Sequence, residues 1–589
     1  MSAPRSPEAA APPLRRRREG WGIGLIFAAI VWFYAYIGIP PQYAVRFLTQ
    51  DGDYYNQLTD GFLSGRLGFR IDPPPSLTSL ADPYDPVARQ RTGAVELHDA
   101  TYYKGRYYLY FGVAPVLVLF LPFKALTGIY FPQNLGTVLF CAGGYLCSLG
   151  LLLVLRRRFF LRVATAWIWL GAVMLGLGNF CAPMLARNGV WEVPISSAYF
   201  FSCLGFWLLW QATAAAARRR WLLAAAGLAF GLATASRPHF VFLGLVLAGW
   251  ALAELRRRWR RDGRGVLPEW TGRAAAFFVP FAIIVAGLLA YNYLRFDNPF
   301  EFGQKYQLSG NTQLHAKLIG LRFFPVNLYY DFLAPAQLER YFPFVQVIRG
   351  YPGVRPADYG GAEDPYGVFG SMPFSWLALL APLLWFAAYR RDRELGGWLA
   401  RFGTCFAALA GATLCFAWSA NRYEVAFIPL LLLVATLGLL MAADLARRSA
   451  FARGGAVAAA FLLIGSTAAF NVLAAFRHND LFKAYRPATF AALSRWFDRP
   501  ALAWERRHPQ PYGPIELTVR FPRDQIGKAE PLLVSGVSYQ SDFVYVLCYP
   551  NLREVRLAFT HTNGRAVLSQ PIPVDFAVPH RIGIAVGSL

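Results

Sequence analysis

Long apolar runs, broken by short basic or aromatic stretches, dominate residues 21–475. A run of roughly 20 apolar residues reaches across the hydrocarbon core of a bilayer as a helix. The pattern predicts such spans at 21–39, 133–155, 161–181, 194–214, 221–236, 239–255, 273–294, 372–389, 398–418, 423–443 and 455–475. One more apolar segment, 108–126, contains Gly112, Pro115 and Pro122, which interrupt a continuous helix. Just after the first span, Leu58, Phe62 and Leu63 fall at helical spacing, which predicts a short helix lying on the membrane surface. From Pro511 the period changes to two, in the runs 515–521, 531–537, 543–549, 555–560 and 581–586, punctuated by Pro, Gly, Asn and Asp. That alternation predicts a small β-sandwich-like domain of about five to eight strands.

The fold class expected is therefore an α-helical polytopic membrane protein with about 11 transmembrane helices and a small C-terminal all-β extracytoplasmic domain. Its parts are a disordered cytoplasmic tail (1–20), a transmembrane domain (21–475), a linker (476–510) and the β domain (511–589). For the β domain a rigid cap is favoured over carbohydrate binding, since no aromatic stacking cluster stands out in it.

Charge decides the orientation. The formal net charge of +24 is mostly arginine, clustered in runs between apolar segments rather than spread with aromatics over a soluble face. This argues for a topology signal and against nucleic-acid binding. If 108–126 does not cross, the clusters at 15–18, 156–158, 218–220, 256–261, 390–393 and 447–453 all fall on one side. Positive charge near helix ends favours the cytoplasm, so 108–126 is expected to be re-entrant or surface-lying. The N-terminus is then cytoplasmic, the C-terminal domain periplasmic, and the protein belongs to a bacterial inner membrane. The long regions 40–132, 295–371 and 476–589 lie outside, where no ATP or nucleotide sugar is available. An enzyme there needs a substrate already activated and delivered through lipid. All cysteines but Cys548 lie in or beside apolar runs, which indicates packing rather than disulfides or a zinc site.

Polar residues at the outer helix ends are the candidates for chemistry. Asp51 and Asp53 stand beside Tyr54 and Tyr55 where the first span re-enters water. His98, Asp99 and Lys104 precede the 108–126 segment; Glu192 lies at the turn between the third and fourth spans. Arg237 occupies the turn between two short spans, Asn292 leaves the seventh, and Arg422, Tyr423 and Glu424 enter the tenth. Arg237 and Arg422 break the rule that keeps positive charge inside, and arginine presents a planar fork to phosphate. Arg187 and Arg295 read equally well as snorkelling anchors, and Glu424 as the ion-pair partner of Arg422. A carboxylate base, arginines for a phosphate, aromatics for a sugar and a lipid groove together describe a transferase acting on a lipid-phosphate sugar.

The pieces Asp51-Gly-Asp-Tyr-Tyr55, Tyr107–Pro115, Ser236-Arg-Pro238, Tyr291–Gly303 and Asn421-Arg-Tyr-Glu424 resemble the GT-C superfamily of membrane glycosyltransferases, especially its family-39-like bacterial members, over most of residues 20–475. The resemblance implies a catalytic Asp on the first outer loop and polyprenyl-phosphate sugars as donors. By it Asp51 is the base, with Asp53 second, and Glu192 matches a second acid. The chain departs from the common Asp-Glu pair in having Asp51-Gly52, which leaves the base and a divalent cation cofactor open. The implied reaction moves a sugar from a polyprenyl-phosphate donor to a cell-envelope glycan or lipid acceptor on the periplasmic side, with inversion. The partners implied are that donor, that acceptor and membrane lipid, with no nucleic acid. Other readings are a transporter or flippase, which predicts inverted halves and charges near mid-span, a polymerase or ligase of lipid-linked saccharides, and a scaffold.

Overall fold

The computed structural model describes residues 13–41, 53–93, 97–214, 218–348, 350–390, 392–508, 515–522, 529–537, 540–561 and 566–584. The chain forms two compact units: Met1–Leu338 with Val345–His478, and Glu339–Phe344 with Asn479–Leu589.

The larger unit is helical. Among the described residues seven segments are long and apolar enough to cross a membrane: Glu19–Gly38, Gln133–Phe159, Thr165–Arg187, Glu192–Thr213, Pro238–Phe296, Ile428–Ala446 and Ala450–Tyr485. Pro238–Phe296 holds two of the expected spans in succession. Helices also stand at the remaining expected positions, at Arg219–Ser236, at Trp376–Leu384 and at Arg393–Leu414. Their shorter length or their arginines set them apart from the apolar seven.

The first helix, α1 (Pro13–Gly38), leads to α2 (Tyr54–Leu63), which is capped by the Asp53 side chain accepting the Asn56 N–H at 2.9 Å. The expectation of a surface-lying α2 is not met: Tyr55 through Gly61 are all buried. The reason is that its polar groups find partners in the following segment. The Asn56 amide donates to the Phe131 carbonyl at 2.9 Å, and Asp60 pairs with Lys124 and accepts from the Tyr130 hydroxyl at 2.7 Å. Tyr55 stacks on Phe120 with centroids 5.3 Å apart. A two-stranded hairpin, β1 (Thr101–Tyr103) with β2 (Arg106–Tyr108), leads into the 108–126 region, which contributes a short apolar helix, Val116–Thr127. That helix reaches about 18 Å, well short of the ~30 Å hydrocarbon core. Its last part is α3 (Leu121–Thr127).

Next, α4 (Gln133–Phe159) ends in Arg156, Arg157 and Arg158. The third span consists of α5 (Thr165–Leu177) and α6 (Cys181–Arg187), separated by a break where Phe180 takes the left-handed conformation (φ 58°). Asn179 satisfies the freed backbone: its Nδ2 donates to Leu175 O at 3.0 Å and its Oδ1 accepts the Cys181 N–H at 3.0 Å. Beyond it come α7 (Glu192–Ala214), α8 (Arg219–Ser236), α9 (Val241–Asp262) and α10 (Leu267–Phe296). α8 and α10 cross so closely that a Cβ on Gly227 would run into the Phe277 carbonyl. Small residues are what allow such backbone approach between apolar helices. The unit closes with α11 (Trp376–Leu384), α12 (Arg393–Leu414), a single turn α13 (Asn421–Glu424), α14 (Ile428–Ala446) and α15 (Ala450–Arg477). A two-stranded parallel ladder joins β3 (Gly361–Glu363) to β4 (Trp418–Ala420) just ahead of α13.

Ion pairs fix which helix ends lie together. Arg156 meets Glu19 at 3.0 Å, Arg158 meets Glu394 at 2.6 Å, and the Tyr389 hydroxyl donates to Asp444 at 2.8 Å. The start of α1, the end of α4, the start of α12 and the end of α14 therefore share one end of the bundle. This is the end at which the arginine runs gather.

In the smaller unit, short helices occupy the stretch expected as a linker, at Leu481–Tyr485, Pro487–Phe497 and Arg499–Arg507. Glu339–Phe344 joins them, with Phe342 stacked on Phe497 at 5.5 Å and its N–H donating to Asp498 at 2.7 Å. The strands β5 (Ile515–Val519), β6 (Ala529–Val537), β7 (Gln540–Tyr549), β8 (Glu554–His561), β9 (Val567–Leu568), β10 (Ile572–Pro573) and β11 (His580–Ile584) follow the alternating runs. They form one sheet in the order β9-β8-β7-β6, with β10 on β8, and a separate β11–β5 pair. Phe521, Val546, Cys548, Val555 and Phe576 form their common core, against which Val519 and Ile582 of the smaller sheet pack. Two sheets sharing one core make the arrangement sandwich-like.

Gly227→Val tests the tight crossing of α8 and α10. The added atoms must push the helices apart, at a cost of about 1–3 kcal/mol. Thermal unfolding in detergent should show a lowered Tm, and an unchanged Tm would mean that the crossing is not as close as described.

Candidate functional site

At the other end of the bundle, segments remote in sequence bring charged groups together. The break at Asn179 lets the third span run on to Arg187, beyond its expected end. Arg187 pairs with Glu363 and lies 4.2 Å over the Trp191 ring. Glu363 reaches this position because β3 pairs with β4, aligning it with Ala420 two residues before Arg422. The ladder needs glycine at 360, where a Cβ would enter the Trp418 indole. Arg422 donates to Glu363 at 2.5 Å and stands 3.9 Å from Glu192. Glu192, 1% exposed at the start of α7, also accepts the Gly189 N–H at 2.8 Å. Two carboxylates thus bracket two guanidiniums.

A third guanidinium is uncommitted. Arg237, at the turn after α8, lies 5.2 Å from the Tyr423 ring centre, and Arg422 lies at the same distance from that ring. Arg237 is within electrostatic reach of Arg422, Tyr110 and Tyr55. Among the described residues its side chain has no carboxylate partner and no hydrogen-bond acceptor. Burial pushes the Tyr55 and Tyr110 phenols well above their ordinary range, so both stay neutral donors. Around them, Trp191 donates to Asp99 at 2.7 Å, Asp99 lies 3.6 Å from His98, and the Tyr54 hydroxyl donates to the His98 carbonyl at 2.5 Å. Asp53 is half-buried; burial pushes its carboxyl up to about 7, against the pull of the Asn56 and Tyr55 N–H groups. An arginine facing tyrosines beside a second arginine can take a phosphate bidentately, while the rings offer a flat surface and hydroxyls for a sugar.

Behind Arg422 lies a second polar layer. Ser419 donates to Asp331 at 2.5 Å, and burial raises the Asp331 carboxyl to about 7. Glu424, 0% exposed, is raised well above its usual range by burial first and by Asp331 second. His478 meets Asp364 and Asn421, each at 3.1 Å.

The structure thus gathers Tyr54, Tyr55, Asp53, His98, Asp99, Glu192, Arg237, Arg422 and Tyr423 around one region. It places three sequence candidates elsewhere. Lys104 pairs with Asp297 at 2.7 Å on an exposed surface. Asn292 is part of the packing: it donates to Pro299 O at 3.2 Å and accepts from Arg295 at 2.7 Å. Glu424 is not the partner of Arg422; two residues on in one helical turn it points away, toward Asp331. Arg295 is buried and donates to Leu109 O at 2.6 Å, so it is a structural clamp rather than a snorkelling anchor. Asp51 lies outside the described residues. Among the described residues no group of three or more His, Cys, Asp and Glu is placed to hold a metal ion.

Glu363, Tyr110, Trp191, Asp331 and His478 were not legible as site residues. Glu363 meets Arg422 across 59 positions through a three-residue ladder, too short to leave a periodic trace. The only sequence signal was the Gly360-Gly361 pair ahead of Glu363.

No family model matches the sequence, and neither does any curated protein. Among solved structures, the chain is similar to ArnT from Cupriavidus metallidurans in the apo state, at 14% identity and a TM-score of 0.41, covering 80% of this chain and 79% of that one. It is also similar to the same protein bound to undecaprenyl phosphate, at 16% identity and a TM-score of 0.39, covering 79% of each. At these levels the likeness does not define the chemistry of this chain, which rests on its own residues.

Proposed function

We propose that this chain is a membrane glycosyltransferase that takes a sugar from a polyprenyl-phosphate donor and passes it to a cell-envelope glycan or lipid acceptor on the periplasmic side. The observation that carries the reading is Arg237, a guanidinium without a partner among the described residues, facing Arg422 and a wall of tyrosines at the end of the bundle away from the arginine runs. A site there meets a lipid phosphate at the membrane surface. Charge gathered at helix ends rather than at mid-span supports a transferase over a transporter.

In this reading Arg237 holds the donor phosphate, with Arg422 adding positive charge as the phosphate–sugar bond breaks. Glu192 and Glu363 position Arg422 and Arg187 rather than react. A first-loop carboxylate takes the proton of the acceptor hydroxyl as its oxygen bonds to the anomeric carbon. The polyprenyl phosphate leaves with the bonding electrons, and a single displacement inverts the centre. Asp51 is the base by the family resemblance. Asp53 is the candidate among the described residues: it shares Tyr55 as a neighbour with Arg237 and Glu192, and a carboxyl pushed up to about 7 is a stronger base that is still partly ionised near neutral pH.

Binding of polyprenyl phosphate alone tests the phosphate site without knowledge of the sugar. Arg237→Gln should weaken it about tenfold or more with little change in Tm, because among the described residues the side chain has no salt bridge or hydrogen bond to lose; Arg237→Lys should recover part of the loss. Equal binding by wild type and Arg237→Gln would remove the site.

Asp53→Asn separates the cap from the base, because Asn caps a helix as well as Asp. A base must be ionised, so wild-type transfer should fall about tenfold per pH unit below about 7. The variant should fold normally and lose transfer. Turnover retained in Asp53→Asn would move the role to Asp51.

A further inference from the structure

Five helices enclose a cavity of ≈370 Å³ far from the site above. Its wall includes Thr213 at the end of α7, whose first residue is Glu192, so roughly 30 Å of helix separates the two. Four arginines from four helices line it: Arg219 of α8, Arg258 of α9, Arg273 of α10 and Arg401 of α12. Arg273 lies within electrostatic reach of Arg219, Arg220 and Arg258. The lining carboxylates are already engaged, Glu254 with Arg258 at 2.7 Å and Glu269 with Arg273. Arg219 donates to the Ala212 carbonyl at 3.1 Å, and Arg401 lies 5.3 Å over both the Trp250 and Trp398 rings. Neither forms a salt bridge among the described residues, although Glu254 lies within electrostatic reach of Arg401. The remaining wall, with Leu223, Leu247 and Phe277, is apolar. Nearby Trp221 and Trp259 are exposed, as aromatic side chains are at the level of lipid headgroups.

Four guanidiniums against two carboxylates leave a positive excess at headgroup depth, and an apolar wall beneath them suits an acyl chain. We infer that this cavity is a binding site for an anionic phospholipid, its headgroup phosphate between Arg219 and Arg401 and one chain along Leu223, Leu247 and Phe277. The site is separate from the donor phosphate site, and its ligand enters from the other leaflet.

The full chain, purified in detergent, is titrated with phosphatidylglycerol, phosphatidylcholine and inorganic phosphate, with bound ligand read by native mass spectrometry. Phosphatidylglycerol should be retained in preference to the other two, and more weakly at high salt. Arg219→Gln with Arg401→Gln should lower its apparent affinity roughly twenty-fivefold, about fivefold for each charge. Replacement of both by Lys should keep most of it. Unaltered polyprenyl phosphate binding by the double variant reports that the fold is intact; if the variant does not fold, the salt and lipid dependence of the wild type decides. Equal retention of phosphatidylcholine overturns the proposal, as does equal binding of inorganic phosphate or a double variant that binds like wild type.

Discussion

Three guanidiniums, Arg187, Arg237 and Arg422, face one another at one end of the bundle, with Glu192 and Glu363 among them. Like charges at such range are costly when partly buried. Glu363 serves two of the arginines and Glu192 is shared as well, which leaves Arg237 to supply the surplus. Everything that shapes this end acts on that balance. The break at Asn179 delivers Arg187, the β3–β4 ladder delivers Glu363, and Pro238 ends α8 so that Arg237 projects from a turn.

The two ends of the bundle handle charge differently. At the arginine-run end, pairs such as Arg156–Glu19 and Arg158–Glu394 tie helices to one another, and Arg401 over Trp250 and Trp398 is an exception. At the other end the arginines meet rings as often as acids: Arg187 on Trp191, Arg237 and Arg422 on Tyr423, Arg295 on Tyr291 at 3.9 Å. A ring face holds a cation in place without neutralising it. A guanidinium held that way keeps its charge for a ligand, whereas a salt bridge would cancel it.

What was legible in the sequence follows from range. A helix at every expected span and a strand at every alternating run at the C-terminus come from local periodicity, which apolar burial enforces residue by residue. Arg237 and Arg422 were legible because arginine at the helix ends opposite the arginine runs departs from a charge rule, a signal that needs no partner. Glu363, Asp331 and His478 were hidden because their meaning lies in contacts between distant segments. α2 was misjudged for a related reason. Its polar residues suggested water, but Asn56 and Asp60 are met by Phe131 O, Lys124 and Tyr130, all later in the chain. Polarity in a sequence shows that a group needs a partner and says nothing of whether the partner is solvent.

The layer behind Arg422 bears on the same charge balance. Asp331 and Glu424 are both buried, burial raises the pKa of each, Asp331 adds to the rise at Glu424, and no cation pairs with either among the described residues. Were both ionised, two more negative charges would lie behind Arg422 and offset the excess that Arg237 provides. Burial keeps Glu424 protonated instead, since a lone carboxylate in a low-dielectric interior gives up its charge more readily than it endures desolvation. The neutral acid still fills space and offers a proton to neighbouring acceptors. Its neutrality removes one negative charge from behind Arg422 and so preserves more of the positive field at Tyr423.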